Sequence, residues 1–164
     1  MKMLNLIFIF WIIYSECYIY EITATFEEQQ YEPCCIKQSF EFQPDSCTQI
    51  EGEDYTYKLK WSSDISITTA QNMFEWCSKL IYLNASNFDT SQITDMSGMF
   101  KDCTSLKSVN LNLFNTSLVQ TMDYMFYYCN SLESLDLSNF NNYKVTNMHN
   151  MFGNCIAINF NKFK

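Results

Sequence analysis

Apolar residues in this chain return at two intervals, one local and one of 26 positions. The dipeptide Met-Phe stands at 73–74, 99–100, 125–126 and 151–152, and cysteines follow at 77, 103, 129 and 155. Leu80, Leu106, Leu132 and Ile158 share a column, as do Leu83, Val109 and Leu135, then Ala85, Leu111 and Leu137, then Phe88, Phe114 and Phe140. Ile93, Val119 and Val145, and Met96, Met122 and Met148, complete the register. Within a copy, Leu106, Val109 and Leu111 follow L-x-x-L-x-L, which ends in the alternation of a short strand with one buried face. Met96, Met99, Phe100 and Cys103 fall at i, i+3, i+4 and i+7, the spacing of one helix face. Asp95, Thr121 and Asn147 precede the Met of each such segment and are N-cap types. Each coil is therefore predicted to run strand, turn, short helix and turn back.

A single copy cannot bury its apolar columns alone, so the copies are expected to stack. The predicted fold is an α/β repeat solenoid of about four right-handed coils over residues 61–164, with copies starting at 73, 99, 125 and 151. The runs MFEWCSKLIYLNASNFDTSQITDMSG (73–98), MFKDCTSLKSVNLNLFNTSLVQTMDY (99–124) and MFYYCNSLESLDLSNFNNYKVTNMHN (125–150) resemble the 26-residue Met-Phe/Cys variety of BspA-type leucine-rich-repeat surface proteins. Trp61-Ser62-Ser63-Asp64-Ile65-Ser66-Ile67 resembles the degenerate first coil of such arrays. The resemblance spans about residues 61–158 and implies a short leucine-rich-repeat stack, a secreted or surface location, and a role in recognition or adhesion. Ala85 departs from a Leu of that pattern, Gln120 from a Thr, and Asn141-Asn142-Tyr143 from Asp-Thr-Ser. The fourth copy loses the pattern after Ile158, which suggests either a truncated array or an edge that mediates self-association.

Upstream, residues 18–60 carry nine acids against Lys37, Lys58 and Lys60. Alternation in Tyr18-Ile19-Tyr20-Glu21-Ile22 and Phe40-Glu41-Phe42 predicts short strands, and this stretch is expected to form a β-rich cap over the first edge of the array. A disulfide of Cys34 or Cys35 with Cys47 would hold it. Residues 1–17 have the shape of a secretory signal: Lys2, then an apolar run from Leu4 to Tyr14, then Ser15-Glu16-Cys17 with cleavage after Cys17. Eleven helical residues rise only about 16 Å, half of a bilayer core, so no membrane span is expected after cleavage. An exported chain can keep disulfides.

Composition narrows the chemistry. Ten Lys and no Arg against eighteen acids give a net charge of −8, which repels phosphate backbones and argues against nucleic-acid binding. Three scattered glycines, at 52, 98 and 153, build no phosphate loop. No cofactor or metal site is expected: the cysteine column suits buried reduced thiols, and a linear ladder does not offer zinc four convergent ligands. His149 and the scattered carboxylates form no acid–base pair, so the protein is not expected to be an enzyme. Between the inward strand residues lie Tyr82 and Asn84, Ser108 and Asn110, Ser134 and Asp136, two rows on an expected concave strand face suited to hydrogen bonding a sugar or a protein loop. Tyr124, Tyr127 and Tyr128 are expected to pack laterally. Asn115 and Asn84 each begin an N-glycosylation tripeptide, Asn115 being the better placed. The expected function is a secreted or cell-surface recognition module for a protein or glycan, with a structural or truncated fragment of a larger surface repeat protein as the alternative.

Overall fold

The structure is a computed structural model and describes residues 18–27, 43–53, 55–62 and 66–159. The expected signal segment 1–17 and the Phe40-Glu41-Phe42 alternation lie outside the described residues. Five strands, β1 (Tyr18–Phe26), β2 (Ser46–Gln49), β3 (Thr56–Ser62), β4 (Leu80–Asn87) and β5 (Ser108–Asn110), form one mixed sheet in the order β2-β3-β1-β4-β5. The first three are antiparallel neighbours, β1 pairs antiparallel with β4, and β4 pairs parallel with β5. Alternation sets the faces: Ile22, Ala24 and Phe26 of β1 are buried with Tyr57, Leu59 and Trp61 of β3 and Leu83 and Ala85 of β4.

The predicted α/β solenoid with a strand and a helix in each coil is not what forms: the strands make a single mixed five-stranded sheet. Among the described residues there is no helix, and none is therefore long and apolar enough to cross a membrane. Nor does every coil carry a strand, since residues 134–137 of the third copy are irregular. The helical spacing of Met96, Met99, Phe100 and Cys103 belongs instead to a ribbon of three overlapping turns. Met99 N–H donates to Met96 O, Lys101 to Gly98 and Cys103 to Phe100, at 3.0–3.3 Å. The N–H groups between them leave the coil: Met96, Gly98, Phe100 and Asp102 donate to Thr121, Asp123, Met125 and Tyr127 of the next copy. The same four bonds recur at 70–76 and at 122–128.

The backbone has to reverse hand to do this. Gly98 and Asp102 lie at φ +60° and +61°, and the same two columns are left-handed in the other coils, at Asn72 and Trp76, Tyr124 and Tyr128, Asn150 and Asn154. A residue in that region cannot continue a right-handed helix. The expected N-cap residues Asp95, Thr121 and Asn147 form parallel bridges with one another instead, starting from Thr69. Asp95 and Asn147 still use a side-chain oxygen to accept the N–H two residues on, so their cap chemistry opens a turn.

The apolar columns do pile up. Phe74, Phe100, Phe126 and Phe152 stack with centroids 5.6, 5.2 and 5.5 Å apart and rings within 12° of parallel. Phe88, Phe114 and Phe140 follow at 6.3 and 6.4 Å, and Trp61 of β3 extends that pile at 5.5 Å from Phe88. Burial fades through the second half of the third copy, where Phe140 and Val145 are half-buried and Met148 is 49% exposed.

Candidate functional site

The solvent-side face of the sheet carries the polar half of each alternation. Thr48, Lys58, Thr23, Asn84 and Asn110 line up as cross-strand partners over all five strands. Thr56, Thr25, Tyr82 and Ser108 form the adjoining row over four of them, Thr56 being buried at its end. Asn110 Nδ2 donates to Asn84 Oδ1 at 3.0 Å, and the same oxygen accepts Ser86 N–H at 3.1 Å, so the amide pair is held in one orientation. The hydroxyls of Thr25 and Thr56 meet at 3.2 Å, and Lys58 Nζ reaches Glu21 at 3.1 Å.

Four of the six expected face residues, Tyr82, Asn84, Ser108 and Asn110, thus share two rows. Ser134 and Asp136 keep their places in the columns but stand on irregular backbone, and Asp136 Oδ1 closes a turn by accepting Ser138 N–H at 2.9 Å. Thr23, Thr25 and Lys58 were not expected on this face. Their alternation is plain in the sequence, but alternation does not say which strand lies alongside.

The cysteine column divides. Cys103, Cys129 and Cys155 are free and buried, and each Sγ–H donates to the carbonyl of Phe74, Phe100 or Phe126 in the preceding coil, at 2.9–3.1 Å. Burial pushes all three thiols up, which keeps them protonated donors rather than thiolate nucleophiles. Cys77 departs from the expectation of reduced thiols throughout, being disulfide-bonded, and so is Cys47. Cys34 and Cys35, the expected partners of Cys47, lie outside the described residues. Among the described residues no three His, Cys, Asp or Glu side chains are grouped to hold a metal ion.

His149 is exposed, with its ring 5.5 Å from Tyr124 and Nε2 3.0 Å from Asn150 Nδ2. Tyr124, Tyr127 and Tyr128 pack edge to face at 5.3 and 4.6 Å. Asn115 is exposed in the turn after β5 and its N–H donates to the buried Thr90 hydroxyl at 2.7 Å, whereas Asn84 is half-buried within the sheet. Thr90 returns a bond to Asn115 O at 3.1 Å, and Thr116 makes the same pair of bonds to Asn141. These two threonines hold the coils together at the turn, a role marked in the sequence only by the recurring Thr-Ser.

A second feature lies on the outer face of the turn ribbon. A groove of about 300 Å³ is lined by Gln71, Asn72 and Glu75 of one coil, Ser97, Gly98 and Lys101 of the next, and Asp123 and Tyr124 of the third. Lys101 Nζ pairs with Glu75 at 2.8 Å inside it. The signal for this groove is the small pair Ser97-Gly98 between larger residues in the same columns.

No curated protein and no solved structure matches the chain. The family model described as "Mycoplasma protein of unknown function, DUF285" matches residues 48–163, which takes in the end of β2, all of β3, β4 and β5, and the whole turn ribbon. The chain, matched over most of its length, belongs to that family.

Proposed function

We propose that this chain is a secreted or cell-surface recognition module, similar to BspA-type surface proteins, that holds a protein or glycan partner on the polar face of its sheet. The carrying observation is the continuity of two polar rows across strands from the acidic lead-in and from the repeats, with the Asn84–Asn110 amide pair fixed at the β4–β5 edge. Short polar side chains held on a rigid sheet lose little freedom when a partner docks, which is what a recognition surface requires. The disulfide-bonded Cys47 and Cys77 support an exported location, because disulfides persist in oxidising compartments. Weak contacts of this kind gain avidity when many copies are displayed together.

The test is binding of the bead-multimerised chain to arrays of host cell-surface proteins and glycans. Tyr82→Ala combined with Asn110→Lys should remove any binding seen with wild type, while Leu113→Ser, at an exposed site, should not. Binding that ignores the Tyr82 and Asn110 changes would discard the sheet face. The second reading is a structural piece of a larger surface array with no ligand of its own, favoured by the exposed Tyr143 of the third copy and Ile156 of the fourth. Absence of binding in multimeric form would select it.

A further inference from the structure

The outer face of the turn ribbon is a lattice of side chains in register. One column holds Gln71, Ser97, Asp123 and His149, and the next holds Asn72, Gly98, Tyr124 and Asn150. The second coil therefore sets its two smallest side chains between Gln71-Asn72 and Asp123-Tyr124, and the groove is the space left over them. Asn72 leans across the gap: a Cβ on Gly98 would stand 2.1 Å from Asn72 Oδ1.

The walls offer hydrogen bonds that the fold does not use. The Gln71 and Asn72 side-chain amides and the Tyr124 hydroxyl have no hydrogen-bond partner among the described residues. Asp123 accepts from the Thr121 hydroxyl and keeps further acceptor capacity. Lys101 is neutralised by Glu75, so the groove has no surplus positive charge for a phosphate. With no grouped acids, it offers no cage for a cation.

One aromatic ring, that of Tyr124, lines this polar groove, and others are exposed on neighbouring columns. Tyr124 is propped edge-on by Tyr127 and His149. Trp76, beside Glu75 in the chain, is 71% exposed and sits at φ +70°, where Asp102 and Asn154 stand in other coils. Exposing the largest side chain in a left-handed conformation works against stability, which points to a use outside the fold. Tyr128, at 40% exposure, lies two coils along in the same column.

A neutral ring with hydroxyls at its edge and C–H groups on its face matches this combination of amides, carboxylate and aromatic surface. We propose that the groove over Gly98 binds one neutral sugar ring of a glycan, a site separate from the sheet face. Gln71, Asn72 and Asp123 bond its hydroxyls, and Tyr124 covers its apolar face.

Proton–nitrogen NMR spectra of the full chain, titrated separately with glucose, galactose, mannose, N-acetylglucosamine and N-acetylgalactosamine, test this. At least one sugar should give saturable shifts at the Ser97 and Gly98 amides and the Gln71 and Asn72 side-chain amides. Tyr124→Ala should weaken that binding about tenfold, and Tyr82→Ala should leave it unchanged. Gly98→Asn, which places the residue of the first and fourth coils in the gap at a φ that Asn tolerates, should abolish it. Unchanged spectral dispersion establishes that each variant is folded. Absence of saturable shifts with all five sugars, or shifts indifferent to both Tyr124→Ala and Gly98→Asn, would overturn the proposal.

Discussion

The thiol of Cys129 donates to the carbonyl of Phe100, 29 positions earlier, at 3.1 Å, and Cys103 and Cys155 repeat the contact one coil to either side. A cysteine column is thus a hydrogen-bonded ladder that ties the inner edge of each coil to its predecessor. Three consequences of protonation, packing and turn chemistry can be measured, and a fourth concerns the exposed tryptophan.

Burial raises the Cys103 and Cys129 thiols above their ordinary range, so the unfolded chain gives up those protons first as pH rises. The native state then binds more protons than the unfolded one, and stability falls with increasing pH. It should be independent of these thiols below about pH 8 and fall above about pH 8.5, by up to about 1.4 kcal/mol per pH unit for each thiol. Denaturant melts of wild type and Cys129→Ala between neutral and alkaline pH should differ by one thiol's slope. Parallel curves would show that the native thiol titrates normally.

Phe114 is buried between Phe88 and Phe140 in a continuous aromatic pile. Phe114→Asp would place a carboxylate in that pile with no partner and should unfold the chain or cost more than about 4 kcal/mol. Phe140→Asp, at a half-buried site nearer the last coil, should cost clearly less. Equal thermal shifts for the two would contradict the graded burial.

Thr90 both accepts from Asn115 N–H and donates to Asn115 O. Thr90→Val keeps the shape and leaves that N–H without its acceptor, an expected loss of about 1–3 kcal/mol. Thr116→Val should do the same for Asn141, whereas Asn142→Ala, at the exposed equivalent in the third copy, should stay within about 0.5 kcal/mol of wild type. Chemical denaturation of the three variants distinguishes these outcomes.

Trp76 occupies a left-handed position without being buried. Asn tolerates that region better, so Trp76→Asn should hold or raise the thermal midpoint, by no more than about 1 kcal/mol in stability. A fall of several degrees would mean that Trp76 is packed into the fold rather than offered to a partner.

How far the residues themselves spoke depends on which question is asked. Side-chain direction was legible: Met96, Met99, Phe100 and Cys103 turn inward as their spacing requires. Hydrogen-bond partners were not, because i, i+3, i+4, i+7 is satisfied both by a helix and by overlapping turns. The left-handed column shows the same limit. Gly98 and Asn72 fit it, but Trp76, Tyr124 and Tyr128 carry no sign that their backbone is reversed. On the sheet face, Tyr82, Asn84, Ser108 and Asn110 could be placed by column, while Thr23 and Lys58 depended on a strand pairing between distant segments.

The amino-acid order by itself determined the 26-residue register and which side chains form the interior, because apolar burial follows local spacing and residue type. Tertiary structure alone decided the backbone. Phe100 N–H bonds to Met125, 25 residues on, instead of four residues back, and that choice exists only once the next coil is in place. The strand at Leu80–Asn87 has β1 on one side and β5 on the other, whereas residues 134–137 form no strand although they share its pattern. A sheet needs partner backbones on its flanks, and no local pattern can supply them.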